Sequence, residues 1–338
     1  MSPLAERELT PNSGATWPSV ICLGEVLVDF VATDSSQPLP AVSTFIRAPG
    51  GAPANVAVAV ARLGQPAAFV GKLATDLFGR FLRETLAEEH VDLRGVVEDA
   101  TIRTPLAFVG SDGNGGRAFD FYHRGMADTS LRVEELAFAR ELIDHANIFH
   151  FGSVTLSAEP GAGATLDAAA YARRAGCLVS FDPNVRLEVW DSPSRAHQKI
   201  MEALRLVRVL KVSSDELEFL AGAGSPAEAC RRLRAEGPQL VAVTLGSDGC
   251  YYDAGSSCGN VPGVPVEVID TLGAGDAFLA GLLVGLIEAP HPVFDDQLAL
   301  VRALQFANAV GAVTTTRYGA IPALPTRSEV EALLSSHR

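Results

Sequence analysis

The chain has 338 residues, 48% of them hydrophobic and 20% charged, with a formal net charge of −13. That length supports one large core, and the acidic balance argues against nonspecific binding to nucleic acid. Five scattered cysteines with no C-x-x-C pair, no apolar run near 18 residues and no apolar leader among the first residues set the remaining expectations: reduced thiols, a cytoplasmic location and no membrane segment.

In chain order, residues 1–18 are polar with two prolines and read as a mobile tail. A short apolar run at 20–24 predicts a first buried strand ending in Gly24, with Asp29 expected at its carboxyl end. A Pro-rich stretch follows at 34–40, then a Gly-Gly turn feeding an Ala/Val helix over 54–63 that Gly64 terminates. A strand over 67–71 and a helix over 79–89 come next. Residues 101–124 break the rhythm. An apolar run, a turn cluster and an alternating run predict a hairpin with Phe119, Phe121 and His123 on one face and Asp120, Tyr122 and Arg124 on the other.

From about residue 140 the rhythm returns: strand 148–151, helix 163–175, strand 178–182, helix 194–206, strand 209–212, helix 215–220 and strand 240–245. Strands alternating with helices of this length imply βαβ units. The expected fold class is therefore α/β, an open, mostly parallel sheet with helices on both faces, plus a small β-sheet lid. The domain is expected over 19–330, with the lid at about 31–48 and 101–125. Ligands in such sheets sit beyond the carboxyl ends of the strands.

The strongest chemical feature is Asp270-Thr271-Leu272-Gly273-Ala274-Gly275-Asp276, running into an uncharged helix. Small residues let the N–H groups of the first helical turn approach an anion, and the helix dipole adds positive character there. A carboxylate at that helix start is held as an anion able to accept a proton, although Asp276 could also be a plain helix cap. Gly50-Gly51-Ala52-Pro53-Ala54-Asn55 is the second feature. Asn55 offers a donor and an acceptor, as a sugar hydroxyl requires, and capping would also explain it. The third is Asp29, whose carboxylate can take two hydroxyl donors or simply shape a turn.

In this order, about 25 and 220 residues apart, the three features resemble the ribokinase (PfkB) family of carbohydrate kinases. The resemblance runs from about residue 20 to 325. It is closest to fructokinases, through Gly24-Glu25, Gly51-Ala52-Pro53-Ala54-Asn55, Phe181-Asp182-Pro183-Asn184-Val185-Arg186 with Trp190, and Lys211-Val212-Ser213. The resemblance implies a ribokinase-like fold and ATP-dependent phosphorylation of a primary hydroxyl, fructose to fructose 6-phosphate. The alternatives within the family are 2-keto-3-deoxygluconate, ribose or a nucleoside as acceptor.

The same resemblance makes Asp276 the catalytic base, with Gly273, Ala274 and Gly275 as the anion hole and Arg186 beside the sugar and the transferred phosphate. Asp29, Gly51, Asn55 and Arg186 are the implied sugar set, joined by Phe108, Phe119 and Tyr122 from the lid. Thr244, Gly246, Gly249, Gly273, Gly275 and Asn308 are the implied nucleotide set. Glu216 is implied to order water around Mg²⁺, its other reading being part of a helix cap. Asp270, near the loop 317–320, is implied at a monovalent cation, K⁺. Pairing of two copies through their lids is a further implication. The familiar lid pattern, Phe-Tyr-Arg-x-x-x-Ala-Asp, is altered: His123 stands where Arg is expected, with Arg124 one place later.

Two rivals come from other classes. A nicotinamide dehydrogenase would need G-x-G-x-x-G after the first strand, where Gly24-Glu25-Val26-Leu27 lacks the second glycine and carries an acid. A non-catalytic sugar-binding relative has no need of the intact Asp276 and its glycines.

Overall fold

The computed structural model describes residues 9, 17–34, 36–113, 116–290 and 293–336. Most of the expected 1–18 tail lies outside them, although Trp17 stacks on His145 with ring centroids 4.0 Å apart.

The elements run β1 (Val20–Leu23), β2 (Leu27–Ala32), β3 (Phe45–Gly50), α1 (Ala52–Arg62), β4 (Ala67–Ala74), α2 (Leu77–Glu88), β5 (Asp92–Asp99), β6 (Leu106–Ser111) and β7 (Arg117–Tyr122). Then come α3 (Ala137–His145), β8 (Ile148–Gly152), α4 (Gly161–Arg174), β9 (Leu178–Asp182), α5 (Pro193–Leu204), β10 (Val209–Ser213), α6 (Ser214–Ala221), α7 (Pro226–Ala235) and β11 (Leu240–Thr244). The chain closes with β12 (Cys250–Asp253), β13 (Cys258–Val261), α8 (Ala274–Glu288), α9 (Gln297–Thr314) and α10 (Arg327–Ser336).

Among the described residues, nine strands form one sheet in the order β13-β12-β11-β10-β9-β8-β1-β4-β5. From β11 to β5 every pairing is parallel; β12 and β13 add an antiparallel edge. Strands covered on both faces must be apolar on both, and β1 is: Val20 and Cys22 join the core under α1, α2, α8 and α9, while Ile21 and Leu23 join the core under α3, α4, α5 and α7. Helix α8 is buried along almost its whole length, as its charge-free run over 277–287 requires.

The second sheet has four strands in the order β3-β2-β6-β7. It opens at β2, three residues after β1 ends, so the lid begins at Leu27 rather than at 31 and Asp29 belongs to it. Asp29 lies inside a lid strand, paired with Ala48 and Ala107, and not at the carboxyl end of the first core strand. The residues between, Gly24-Glu25-Val26, form the corner where one sheet gives way to the other.

Alternation assigns the lid's faces. Leu27, Asp29, Ala107, Val109, Phe119 and Phe121 fall on one side and pack together or line the cleft. Phe30, Phe108 and Tyr122 fall on the other, where Phe108 stacks on Phe30 at 5.2 Å and meets Tyr122 edge-on at 5.8 Å. Phe108 and Tyr122, expected to touch the sugar, therefore point away from the cleft, and Tyr122 is exposed. A strand cannot aim consecutive residues at one face.

Candidate active site

Between the two sheets, beyond the carboxyl ends of β1, β9 and β10, lies a cleft of about 580 Å³, large enough for a small organic ligand. Two helix N-termini open onto it. Helix α1 starts at Gly51, whose φ of 106° is open to glycine, and a Cβ there would lie 2.5 Å from the carbonyl oxygen of Glu25. Helix α8 starts at Gly273, left-handed at φ 77°. The first N–H groups of a helix have no partner within it, so each start offers donors with a positive dipole end.

These helices pack against each other and bring distant residues together. Asn55, in the first turn of α1, donates from Nδ2 to Oδ2 of Asp276, in the first turn of α8, at 2.8 Å. Both side chains are buried. The other polar atom of the amide, Oδ1, is buried without a partner, an acceptor awaiting a hydroxyl. Burial pushes the Asp276 carboxyl up to about 6, against the Asn55 hydrogen bond and the Lys211 and Arg186 charges, which hold it down. Asp276 is thus an anion at neutral pH with appreciable basicity, as proton abstraction demands.

Across the cleft, Asp29 looks down from the lid. Its carboxyl packs over Gly50, where a Cβ would lie 2.1 Å from Oδ2. Burial raises it to about 7, opposed by the Arg186 charge and assisted by that of Asp276. Arg186 lines the cleft half-buried, its guanidinium 5.2 Å from the ring centre of Phe119 and one Nη donating to the Val185 carbonyl.

Three further acids were not assigned roles from sequence. Glu25, at the sheet-to-sheet corner, accepts the Ala52 N–H on Oε1 at 3.0 Å while Oε2 is buried without a partner; burial raises it to about 8. Asp182, at the end of β9, accepts from Lys211 Nζ at 2.9 Å. Asp128 lies buried with its Oδ2 3.4 Å from His123 Nδ1. His123 lines the cleft, and neither ring nitrogen has a well-formed hydrogen bond. Arg124 pairs with Asp191 in solvent. The histidine, not the arginine one place later, faces the cleft.

Glu216 is committed to backbone. It closes a capping box with Ser213 and accepts the N–H groups of Ser213 at 2.8 Å and Val185 at 2.6 Å, one on each oxygen. Asp270 ties Leu272 to the 317–320 loop, accepting from the Leu272 N–H at 3.0 Å and the Gly319 N–H at 2.9 Å. No cluster of three His, Cys, Asp or Glu side chains able to hold a metal occurs among the described residues.

The remaining nucleotide candidates lie to one side. Thr244 ends β11 level with Ser213 of β10, and Gly246 and Gly249 bound the turn into β12. None of these three lines the cleft, and neither does Asn308. Asn308 donates both ways from Nδ2, to the carbonyls of Val261 at 3.0 Å and Pro262 at 2.9 Å. Its amide N–H groups hold the chain after β13 and are not available to a base.

The family model for pfkB family carbohydrate kinases matches residues 18–327. Fructokinase-1 of Oryza sativa subsp. japonica is 47% identical over 318 residues, covering 94% of this chain and 98% of the rice protein. Among solved structures, the fructokinase of Xylella fastidiosa with bound ATP superposes with a TM-score of 0.86 at 37% identity, covering 94% of this chain and 98% of that one. The fructokinase of Vibrio cholerae O395 bound to fructose, ADP and a calcium ion gives 0.85 at 35% identity, covering 97% and 100%. With the match spanning both the lid and the two helix starts, this chain is a member of the pfkB family of carbohydrate kinases.

Proposed function

We propose that this protein transfers the terminal phosphoryl group of ATP to the primary hydroxyl of fructose, giving fructose 6-phosphate and ADP. The observation that carries the reading is the Asn55–Asp276 pair: a basic carboxylate at a glycine-lined helix start, oriented by an amide whose own acceptor is free. Its relatives' chemistry supports the acceptor, since those named above are fructokinases and one was solved with fructose.

In the reaction Asp276 takes the proton from the attacking hydroxyl as the sugar oxygen bonds to the γ-phosphorus and the bond from phosphorus to the β-phosphate oxygen breaks. Asp29, Gly51, Asn55 and Arg186 hold the sugar, with Phe119 and His123 on the lid side in place of Phe108 and Tyr122. The N–H groups following Gly273, Ala274 and Gly275 stabilise the charge spread over the phosphoryl oxygens, which is where most catalysis of phosphoryl transfer lies. Thr244, Gly246 and Gly249 carry the nucleotide on the neighbouring strand end.

Mg²⁺ held by the phosphates would supply charge neutralisation. Glu216, with both oxygens already accepting N–H bonds, fits it only through water, as this ion usually prefers. A monovalent cation, K⁺, would lie between Asp270 and the 317–320 loop, where each Asp270 oxygen accepts one N–H and a carboxylate oxygen carries a further lone pair for an ion. The cysteines of the described chain are free thiols, consistent with a reducing, cytoplasmic setting. Two copies pairing edge to edge through their lids would cover Ile46, which is exposed on β3.

A coupled ADP-release assay over a panel of sugars tests the proposal. Fructose should be preferred; preference for ribose or 2-keto-3-deoxygluconate would move the substrate, and inactivity on every sugar would favour a non-catalytic relative.

A further inference from the structure

The two residues that follow the last lid strand part company. Arg124 turns out to solvent and pairs with Asp191, whereas His123 turns in and lines the cleft. A short turn then returns the chain to Asp128, whose Oδ2 lies 3.4 Å from His123 Nδ1. Glu25 joins them from the corner between the two sheets. All three line the cleft, and Glu25 feels the charges of both Asp128 and Asp276, so it lies near the pair and near the base. Glu25, His123 and Asp128 are only 4%, 5% and 3% exposed. Even so, one carboxylate oxygen of Glu25, both of Asp128 and both ring nitrogens of His123 lack a well-formed hydrogen bond. Buried polar atoms are seldom left this way, and so many at one end of a cleft mark the place of a ligand.

Most of these atoms are acceptors. An ionised carboxylate only accepts, a protonated one offers a single O–H, and a neutral imidazole donates from one nitrogen alone. A ligand that suits them brings hydroxyl groups, which donate as well as accept. A carboxylate brings acceptors and a negative charge to a pocket that already holds two acids. The cations lining the cleft are occupied with other groups: Lys211 is paired with Asp182, and Arg186 lies over Phe119 and acts on Asp29 and Asp276. The acceptor sugars considered above differ at the corresponding end. Counted from the primary hydroxyl that receives phosphate, the far terminus of fructose is a hydroxymethyl group and that of 2-keto-3-deoxygluconate is a carboxylate.

We propose that His123, Asp128 and Glu25 form the specificity pocket for the far terminus of the sugar, admitting a hydroxymethyl group and turning away a carboxylate. The inference rests on the kinase reading above and deepens it by naming the acceptor class, neutral sugars and not sugar acids. His123 makes the difference. Arginine at 123 would bring a permanent charge and a fork of donors that matches a carboxylate. The imidazole brings at most a charge that Asp128 already balances. Discrimination of this kind owes as much to the penalty on the wrong ligand as to contacts with the right one.

The test measures kcat/KM for fructose, for 1-deoxyfructose, which lacks the far hydroxyl, and for 2-keto-3-deoxygluconate, in the wild type, His123→Arg and Asp128→Ala, with melting temperatures alongside. The wild type should favour fructose over the sugar acid by at least about 10³-fold and over 1-deoxyfructose by about 10- to 100-fold. His123→Arg should narrow the ratio of fructose to sugar acid by about 10-fold or more. In Asp128→Ala the penalty for the missing hydroxyl should shrink to about threefold or less, because the groups deleted from enzyme and substrate are partners; a merely structural aspartate would leave that penalty whole.

An undiminished penalty in folded Asp128→Ala, or an unchanged ratio in folded His123→Arg, overturns the pocket. So does a wild type that phosphorylates the sugar acid as readily as fructose, a readout that stands even where a variant does not fold. A wild type that prefers ribose while refusing the sugar acid would displace fructose and uphold the exclusion. One inert toward every sugar would overturn the kinase reading, and the pocket with it.

Discussion

Asn55 and Asp276 are 221 positions apart in the chain and 2.8 Å apart in the fold, amide nitrogen to carboxylate oxygen. The bond fixes the carboxylate so that Oδ1 is left for a hydroxyl, and it favours the charged form of the acid. Replacing Asp276 with Asn should lower kcat by about 10²–10⁴-fold with fructose binding changed only a few-fold. Steady-state kinetics together with calorimetric titration of fructose separate the two effects, and near-normal turnover would remove Asp276 from the role of base.

Asp276 acts as a base only when ionised. With its carboxyl at about 6 and that of Asp29 beside the sugar at about 7, log kcat/KM for fructose should fall toward acid with a midpoint between pH 6 and 7. Losing the amide donor in Asn55→Leu removes a contact that holds the carboxyl down, so the midpoint should move to higher pH, alongside a rise in KM from the lost acceptor. A midpoint that stays put would mean that the limb belongs to another group.

The same burial has a cost in stability. The folded value for Asp276, about 6, lies above the ordinary 3.8. The protonated acid is therefore favoured in the folded state, and stability present below pH 3.8 is lost as pH rises through 6. At pH 8 the penalty approaches on the order of 3 kcal/mol. Asp276→Asn should accordingly melt several degrees higher than the native chain at pH 8 and show little gain at pH 4, which scanning calorimetry across pH can read.

Lid contacts should divide by face. Phe119→Ala removes a ring lining the cleft and the surface beneath Arg186; it should raise the fructose KM by about 5- to 50-fold. Tyr122→Ala and Phe108→Ala lie on the other side of the sheet and should leave KM within about twofold, with Phe108→Ala costing melting temperature through its stacking with Phe30. An equal rise in KM from Tyr122→Ala would contradict the face assignment. His123→Gln tests the arginine-to-histidine departure, and a change confined to KM would mark it as a sugar contact.

Much of this is legible in the sequence. The small residues around Gly273–Gly275 and the Gly50-Gly51 turn announced two helix starts, because short-range sterics alone demand such residues there. Alternation through 117–123 correctly separated Phe119, Phe121 and His123 from Tyr122, yet Phe108 and Tyr122 were still assigned to the sugar, because local pattern gives two faces without saying which one meets the cleft. Asp29 was misplaced for a related reason: residues 20–32 cross from one sheet to another through a three-residue corner that has no proline or charge run to mark it. Strand β5 and the edge strands β12 and β13 were passed over, being short or mixed in polarity. The bonds of the Asn308 amide nitrogen to the carbonyls of 261 and 262 are not legible in sequence, because those partners are fixed only by tertiary packing. Lys211 and Asp182 stand in the sequence only as parts of a family likeness; that they pair at 2.9 Å beside Gly275 is visible only in the fold.

Three sequestered acids, Glu25 at about 8, Asp29 at about 7 and Asp276 at about 6, give the cleft a proton inventory that neutral water does not fully empty. Because they influence one another, the bound hydrogens belong to the set rather than to single residues. Occupancy by a sugar or a nucleotide must redistribute them, so the apparent heat of association at pH 7 will track the ionisation enthalpy of the buffer, and its slope counts the hydrogens exchanged with the medium.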